Sequence, residues 1–182
     1  SLGLCVYHVH APGHFNGTKN KAYKYPSIKE MADQVQEALN EMKTGPVIFV
    51  GVGAGARILT RVAIETPDLV RGLVLISPTF REAGVWEKMF NMIVQNSTSM
   101  LQSLTLTRHF NPNVSKEIVQ QIENALRHVD SSLIAKFWNT FTNRKKLDDF
   151  DIAILREYYI LLVVGHNKAF SYSGPNYFSD AL

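Results

Sequence analysis

At 182 residues, with 46% hydrophobic and 19% charged residues, the chain is long enough for one domain with a sizeable core and too apolar to be disordered. A net charge of +3, a pI near 9.0 and no basic run longer than Arg144-Lys145-Lys146 argue against a nucleic-acid surface. The single cysteine, Cys5, excludes an internal disulfide and points to a reducing compartment, and no apolar stretch approaches the length of a membrane span.

No signal peptide is visible; the chain begins with Ser, not Met, and enters a strand-like run at once, and both features suggest a fragment or a partial gene product. That run, "LCVYHVHAPG" (4–13), alternates and ends at Pro-Gly, so a strand followed by a loop is expected. Residues 27–43 form the clearest helix. Ser27 and Glu30 make a capping box, and Ile28, Met31, Ala32, Val35, Leu39 and Met42 share one face. Gly45-Pro46 then breaks to "VIFVG", a short run of the buried parallel-sheet kind. After the glycines, Ile58, Leu59, Val62 and Ala63 mark a helix that stops near Pro67, and "GLVLIS" (72–77) is the next buried strand. Strand alternating with helix predicts an α/β fold with a parallel sheet.

From Arg81 to about Asp149 the strand signals cease. Three helical stripes follow: Trp86, Met89, Phe90 and Ile93; then Ile118, Val119, Ile122, Leu126 and Val129; then Ile134, Phe137, Trp138 and Phe141. Their spacing favours packing over an aromatic ligand box. A helical insertion over the sheet, at about 81–149 within one domain of 1–182, is therefore expected. The sheet resumes with "YILLVVG" (159–165), and the end of the chain has the composition of a loop.

The stretch "GVGAGA" (51–56) fits two templates. As G-x-G-x-x-A it is a dinucleotide fingerprint, which wants an acid at the end of the next strand. That strand ends Ile76-Ser77-Pro78, without a carboxylate, so no nucleotide cofactor is expected. The second template is G-x-S-x-G, the strand–turn–helix on which α/β-hydrolases mount a serine nucleophile. Gly51 and Gly55 take its flanking positions, and Gly53 stands in place of the serine. Glycine keeps the turn, relieves its strain and removes the reactive group. The position where this fold commonly carries its acid, after "LLVVG", holds His166, which cannot orient an imidazolium as a carboxylate does. The nearest displaced nucleophile is Ser77, with no base visible beside it. His8, His10 and His14 are weak metal candidates, since alternate strand residues share a face. Without a nearby acid or cysteine pair, they read as ordinary half-buried strand histidines, and no metal is expected.

Taken in order, "HVHAPGH", "YPSIKEMADQVQEAL", "GVGAGARILTRVAIETPDLVRGLVLI", "WNTFTNRKKL" and "LLVVGHN" resemble the N-myc downstream-regulated (NDRG) family over nearly the whole chain. The resemblance implies an α/β-hydrolase-like sheet with a helical cap insertion, incomplete at both ends, in a protein without catalysis. It also implies a cytoplasmic protein with protein partners, associated with stress response, differentiation, growth control or vesicle trafficking. Peripheral membrane association stays open. Two positions depart from the family pattern, which usually has Asp where His10 and His166 stand. The family domain also has strands before "LCVYHVHAPG", one of which is expected between that segment and "VIFVG".

Overall fold

The computed structural model describes residues 3–10, 27–80, 82–85, 88–89, 114–127, 131–143 and 145–164. The chain forms two compact units: Ser1–Tyr25 with Gly84–Thr142, and Pro26–Ala83 with Asn143–Leu182.

The second of these holds a parallel sheet with helices. Helix α1 (Ile28–Met42) begins where the sequence places it, because Ser27 and Glu30 satisfy each other's backbone donors. The Glu30 N–H donates to Ser27 Oγ (3.2 Å), and the Ser27 N–H donates to Glu30 Oε2 (2.7 Å). It ends at Lys43, whose left-handed conformation (φ 52°) lets its N–H reach the Asn40 carbonyl. Strand β1 (Val47–Val52) runs into helix α2 (Ala54–Glu65) through Gly53 alone. A single turn at Pro67–Leu69 then leads to strand β2 (Val70–Ile76). Strand β3 (Ile160–Val163) completes a described sheet of order β1-β2-β3, parallel throughout.

The register pairs Phe49 with Leu73 and Gly51 with Leu75, and Leu75 with Leu162. Phe49, Leu73 and Leu75 lie in one core cluster with Ala32 and Leu39 of α1 and Ala56, Val62 and Ala63 of α2. Ile152 and Leu155 join it from a short helix, labelled below. Alternation sends Ile48, Val50, Val52, Leu161 and Val163 to the other face, where all five are exposed.

In the unit that includes residues 84–142, helices α3 (Lys116–Arg127) and α4 (Ser131–Thr142) fall on the second and third apolar stripes. The Phe137 and Phe141 rings of α4 meet in a tilted pair at 5.3 Å, as their i, i+4 spacing allows. Of the first stripe, Met89 is described and helical; Trp86, Phe90 and Ile93 lie outside the described residues.

Two readings of the sequence are corrected. Residues 4–10 form no strand; they are irregular and exposed, with Leu4 and Val6 more than two-thirds open. An alternating pattern becomes a strand only when a neighbour completes its ladder, and residues 4–10 take part in no described ladder. The second correction is an addition: helix α5 (Asp149–Leu155) precedes β3. Its capping box is built from Asp148 and Asp151, whose carboxylates accept from each other's backbone N–H.

Candidate functional site

The sharpest local geometry lies at the carboxyl ends of β1 and β2. Gly53 adopts φ 51°, ψ −109°, a region closed to most side-chain-bearing residues. Its N–H donates to the Ile76 carbonyl at 2.9 Å, tying the turn to β2. A Cβ added at Gly53 would meet no atom within 4 Å, so the position faces open space. Gly51 is glycine for a different reason. A Cβ there would stand 2.5 Å from Ala56 Cα and 2.6 Å from Ala56 N, so strand and helix approach too closely for any side chain. Gly55 meets neither demand, having no neighbour within 4 Å and no positive φ. The turn therefore has the strand–turn–helix form expected of a nucleophile mount, and at its centre glycine offers no hydroxyl or thiol.

Ser77 follows β2 directly, as Gly53 follows β1. It is exposed, and it too has a positive φ, 46°. For a residue with a Cβ, and one that precedes proline, that conformation is costly. The Ser77 N–H donates to the Val163 carbonyl at 2.8 Å, which fixes it to the end of β3.

Behind the turn lies Arg57, one turn into α2 and only 6% exposed. Its Nη1 donates to the carbonyls of Phe80 (3.1 Å) and Thr79 (3.4 Å), and the guanidinium stands 5.9 Å from the Phe80 ring centroid. On the outer side of α2, Arg61 pairs with Glu65 (2.8 Å) and with Asp151 of α5 (3.4 Å). The Tyr158 phenol donates to the Ala63 carbonyl (2.9 Å); burial, then the Asp68 carboxylate, raise its pKa and keep it a donor.

The remaining candidates separate from this turn. His8 and His10 are exposed and irregular, with rings 6.5 Å apart, rather than half-buried in a strand. The cause is the missing ladder already noted for residues 4–10. His14 and His166 lie outside the described residues. Among the described residues no group of three or more His, Cys, Asp or Glu is placed to hold a metal. The sequence reading missed the burial of Arg57 and the backbone of Ser77. A single arginine in an amphipathic helix carries no sign of burial, and Ser-Pro predicts extended backbone.

The Ndr family's sequence profile matches residues 3–174. The chain belongs to the Ndr family. Among its relatives, Protein NDRG2 of Homo sapiens is 33% identical over 147 residues, 78% of this chain and 39% of that protein. Protein NDL3 of Arabidopsis thaliana is 28% identical over 161 residues, 80% of this chain and 46% of that protein. The chain thus spans less than half the length of these Ndr relatives. Among solved structures, it is similar to a thermophilic esterase from Thermogutta terrifontis (TM-score 0.77, 16% identity), covering 94% of this chain and 65% of that one. A hydrolase from Pseudomonas aeruginosa gives a TM-score of 0.74 at 17% identity, with the same coverage. The fold of this Ndr chain is α/β-hydrolase-like. Among the described residues no helix is long and apolar enough to cross a membrane.

Proposed function

We propose that this Ndr family chain is a non-catalytic, α/β-hydrolase-like protein that works by contact with protein partners. The observation that carries the reading is Gly53, which holds the backbone of a nucleophile turn (φ 51°, ψ −109°) with no reactive atom on it. Without a hydroxyl or thiol there, no acyl-enzyme forms at that position. His166, in place of the acid, supports the same reading from the sequence. Gly53 and His166 are on this view vestigial positions, and no cofactor or metal is assigned. Family membership supports a cytoplasmic protein of signalling type, tied to stress response, differentiation, growth control or vesicle trafficking. No nucleic-acid partner is proposed, and peripheral membrane association is compatible with the reading. A fluorophosphonate probe tests it: the protein stays unlabelled, and stoichiometric labelling of any serine sinks the proposal.

One observation favours a second reading. Ser77 is exposed, strained and next to the turn, which suits a displaced nucleophile of a serine hydrolase. No histidine is found among the described residues of its unit. Turnover of short-chain p-nitrophenyl esters that is lost in Ser77→Ala would establish this reading over the first.

A further inference from the structure

In a helix each carbonyl accepts from the N–H four residues on, and for Ala63 of α2 that residue is Pro67, which has none. Ala63 is 0% exposed, so water cannot replace the missing donor. Val62 escapes the difficulty, because its carbonyl accepts from both the Thr66 N–H and the Thr66 hydroxyl, each at 2.8 Å. The donor that reaches the Ala63 carbonyl comes from 95 residues away: the Tyr158 phenol, at 2.9 Å.

The chain on both sides of Tyr158 aims that phenol. The Tyr158 N–H donates to the Leu155 carbonyl (3.2 Å) in the turn that ends α5, and the Tyr159 carbonyl accepts from the Leu73 N–H (3.0 Å) as β3 meets β2. Gly72 permits this approach, since a Cβ there would stand 3.1 Å from the Tyr159 oxygen. At the far end of β3 the Val163 carbonyl accepts from the Ser77 N–H at 2.8 Å. Arg61 of α2 also reaches Asp151 of α5 at 3.4 Å, but its side chain is 35% exposed and such pairs contribute little.

We infer that Tyr158 closes the last turn of α2 in place of Pro67, so that the end of α2 is complete only while α5 and β3 are docked. The end of α2 and β3 then open as one unit, and that opening releases the Ser77 N–H as well. The lock rests on one phenol and one buried carbonyl, whatever the activity of the Ndr chain.

Amide hydrogen exchange at residue resolution in the full chain tests the lock. Thr66 reports the end of α2, and Leu73 and Ser77, both bonded to the β3 segment, report its docking. In the unaltered protein the three are expected to share one level of protection, as members of one cooperative unit do. In Tyr158→Phe all three should exchange about tenfold or more faster, as a buried carbonyl left without a donor implies. Amides of α1 should not change. Pro67→Ala restores an N–H and frees Thr66 (φ −137°) from the extended backbone that proline imposes on its predecessor. In that background the effect of Tyr158→Phe on Thr66 should shrink severalfold. A Tyr158→Phe that alters none of the three, or that speeds Leu73 and Ser77 while sparing Thr66, overturns the proposal. So does an equal effect with and without Pro67. Should Tyr158→Phe fail to fold, the unaltered chain decides: a Thr66 amide that exchanges well ahead of Leu73 and Ser77 counts against the lock.

Discussion

Gly53 and Ser77 are neighbours at the carboxyl ends of adjacent parallel strands, and both hold positive φ, 51° and 46°. Val52 pairs with Ile76 one step earlier, and the Gly53 N–H bonds the Ile76 carbonyl. In open α/β sheets this end is where ligands and chemistry gather. Here one position has the strained backbone without a reactive atom, and the other has a hydroxyl. Gly53→Ser tests what the first can regain. The new side chain enters open space, so its cost is the backbone alone, about 1–3 kcal/mol. Urea unfolding should show that loss, and p-nitrophenyl acetate should show no gain in turnover, since a serine without a base is a weak nucleophile. A clear gain in ester turnover would show that a base still serves this position.

Gly51 and Gly55 should respond in opposite directions to the same substitution. Gly51→Ala drives a methyl into backbone atoms of Ala56 at 2.5–2.6 Å, which only a shift of α2 can relieve. A loss of at least about 1–3 kcal/mol is expected, as for other overpacked sites. Gly55 lies in the first turn of α2 with room around it, so Gly55→Ala should stabilise by up to about 1 kcal/mol. Thermal melting of the two variants side by side checks both. A neutral Gly51→Ala would mean that strand and helix are not in the contact described.

These contrasts mark what a sequence reveals. Ser27, Glu30 and the stripe from Ile28 to Met42 act within one helix, so α1 was readable nearly to its caps. The three apolar runs 47–51, 72–77 and 159–165 were readable as strands because they are short and apolar at successive positions, the pattern typical of parallel strands. Residues 4–10 misled because their pattern is local while pairing is not. Helix α5 escaped notice because it is short and its box uses Asp148 and Asp151, residues that equally mark a loop. At the site, Gly53 was legible from a spacing. Arg57 and Ser77 were not, because burial and φ are set by what packs against them.

The capping box at the start of α1 makes a pH-dependent contribution. The hydrogen bonds from Ser27 Oγ and then the Ser27 N–H hold the Glu30 carboxyl below its ordinary pKa. Its folded form therefore favours the carboxylate. That contribution is complete above the ordinary glutamate range and vanishes as pH falls through the lowered value. Ser27→Ala should cost about 1 kcal/mol near neutrality. The gap between Ser27→Ala and the unaltered chain should narrow in acid, read by urea unfolding at about pH 7 and again at about pH 3, roughly 2.7 units above and 1.3 units below the ordinary glutamate value. A gap that widens in acid would show that Glu30 does not share the cap.

The last prediction concerns the sheet's second face. A parallel sheet is normally covered on both sides, and its strands are apolar on both for that reason. Here Phe49, Leu73 and Leu75 lie under helices, while Ile48 (65% exposed), Val50 (61%), Val52 (63%) and Leu161 (59%) are bare to solvent on the opposite face. These side chains come from paired strands, with Val50 beside Val74 and Val74 beside Leu161, so they form one patch rather than scattered contacts. Contiguous apolar surface of that kind drives association, and a flat strand edge beside it adds a template for pairing. These 182 residues expressed alone are therefore expected to self-associate or to bind a hydrophobic dye such as ANS strongly. Replacing Val50 and Leu161 together by Lys should weaken dye binding and raise solubility without unfolding α1. A cooperative, dye-silent monomer from the unaltered 182 residues would show that this face is covered in solution.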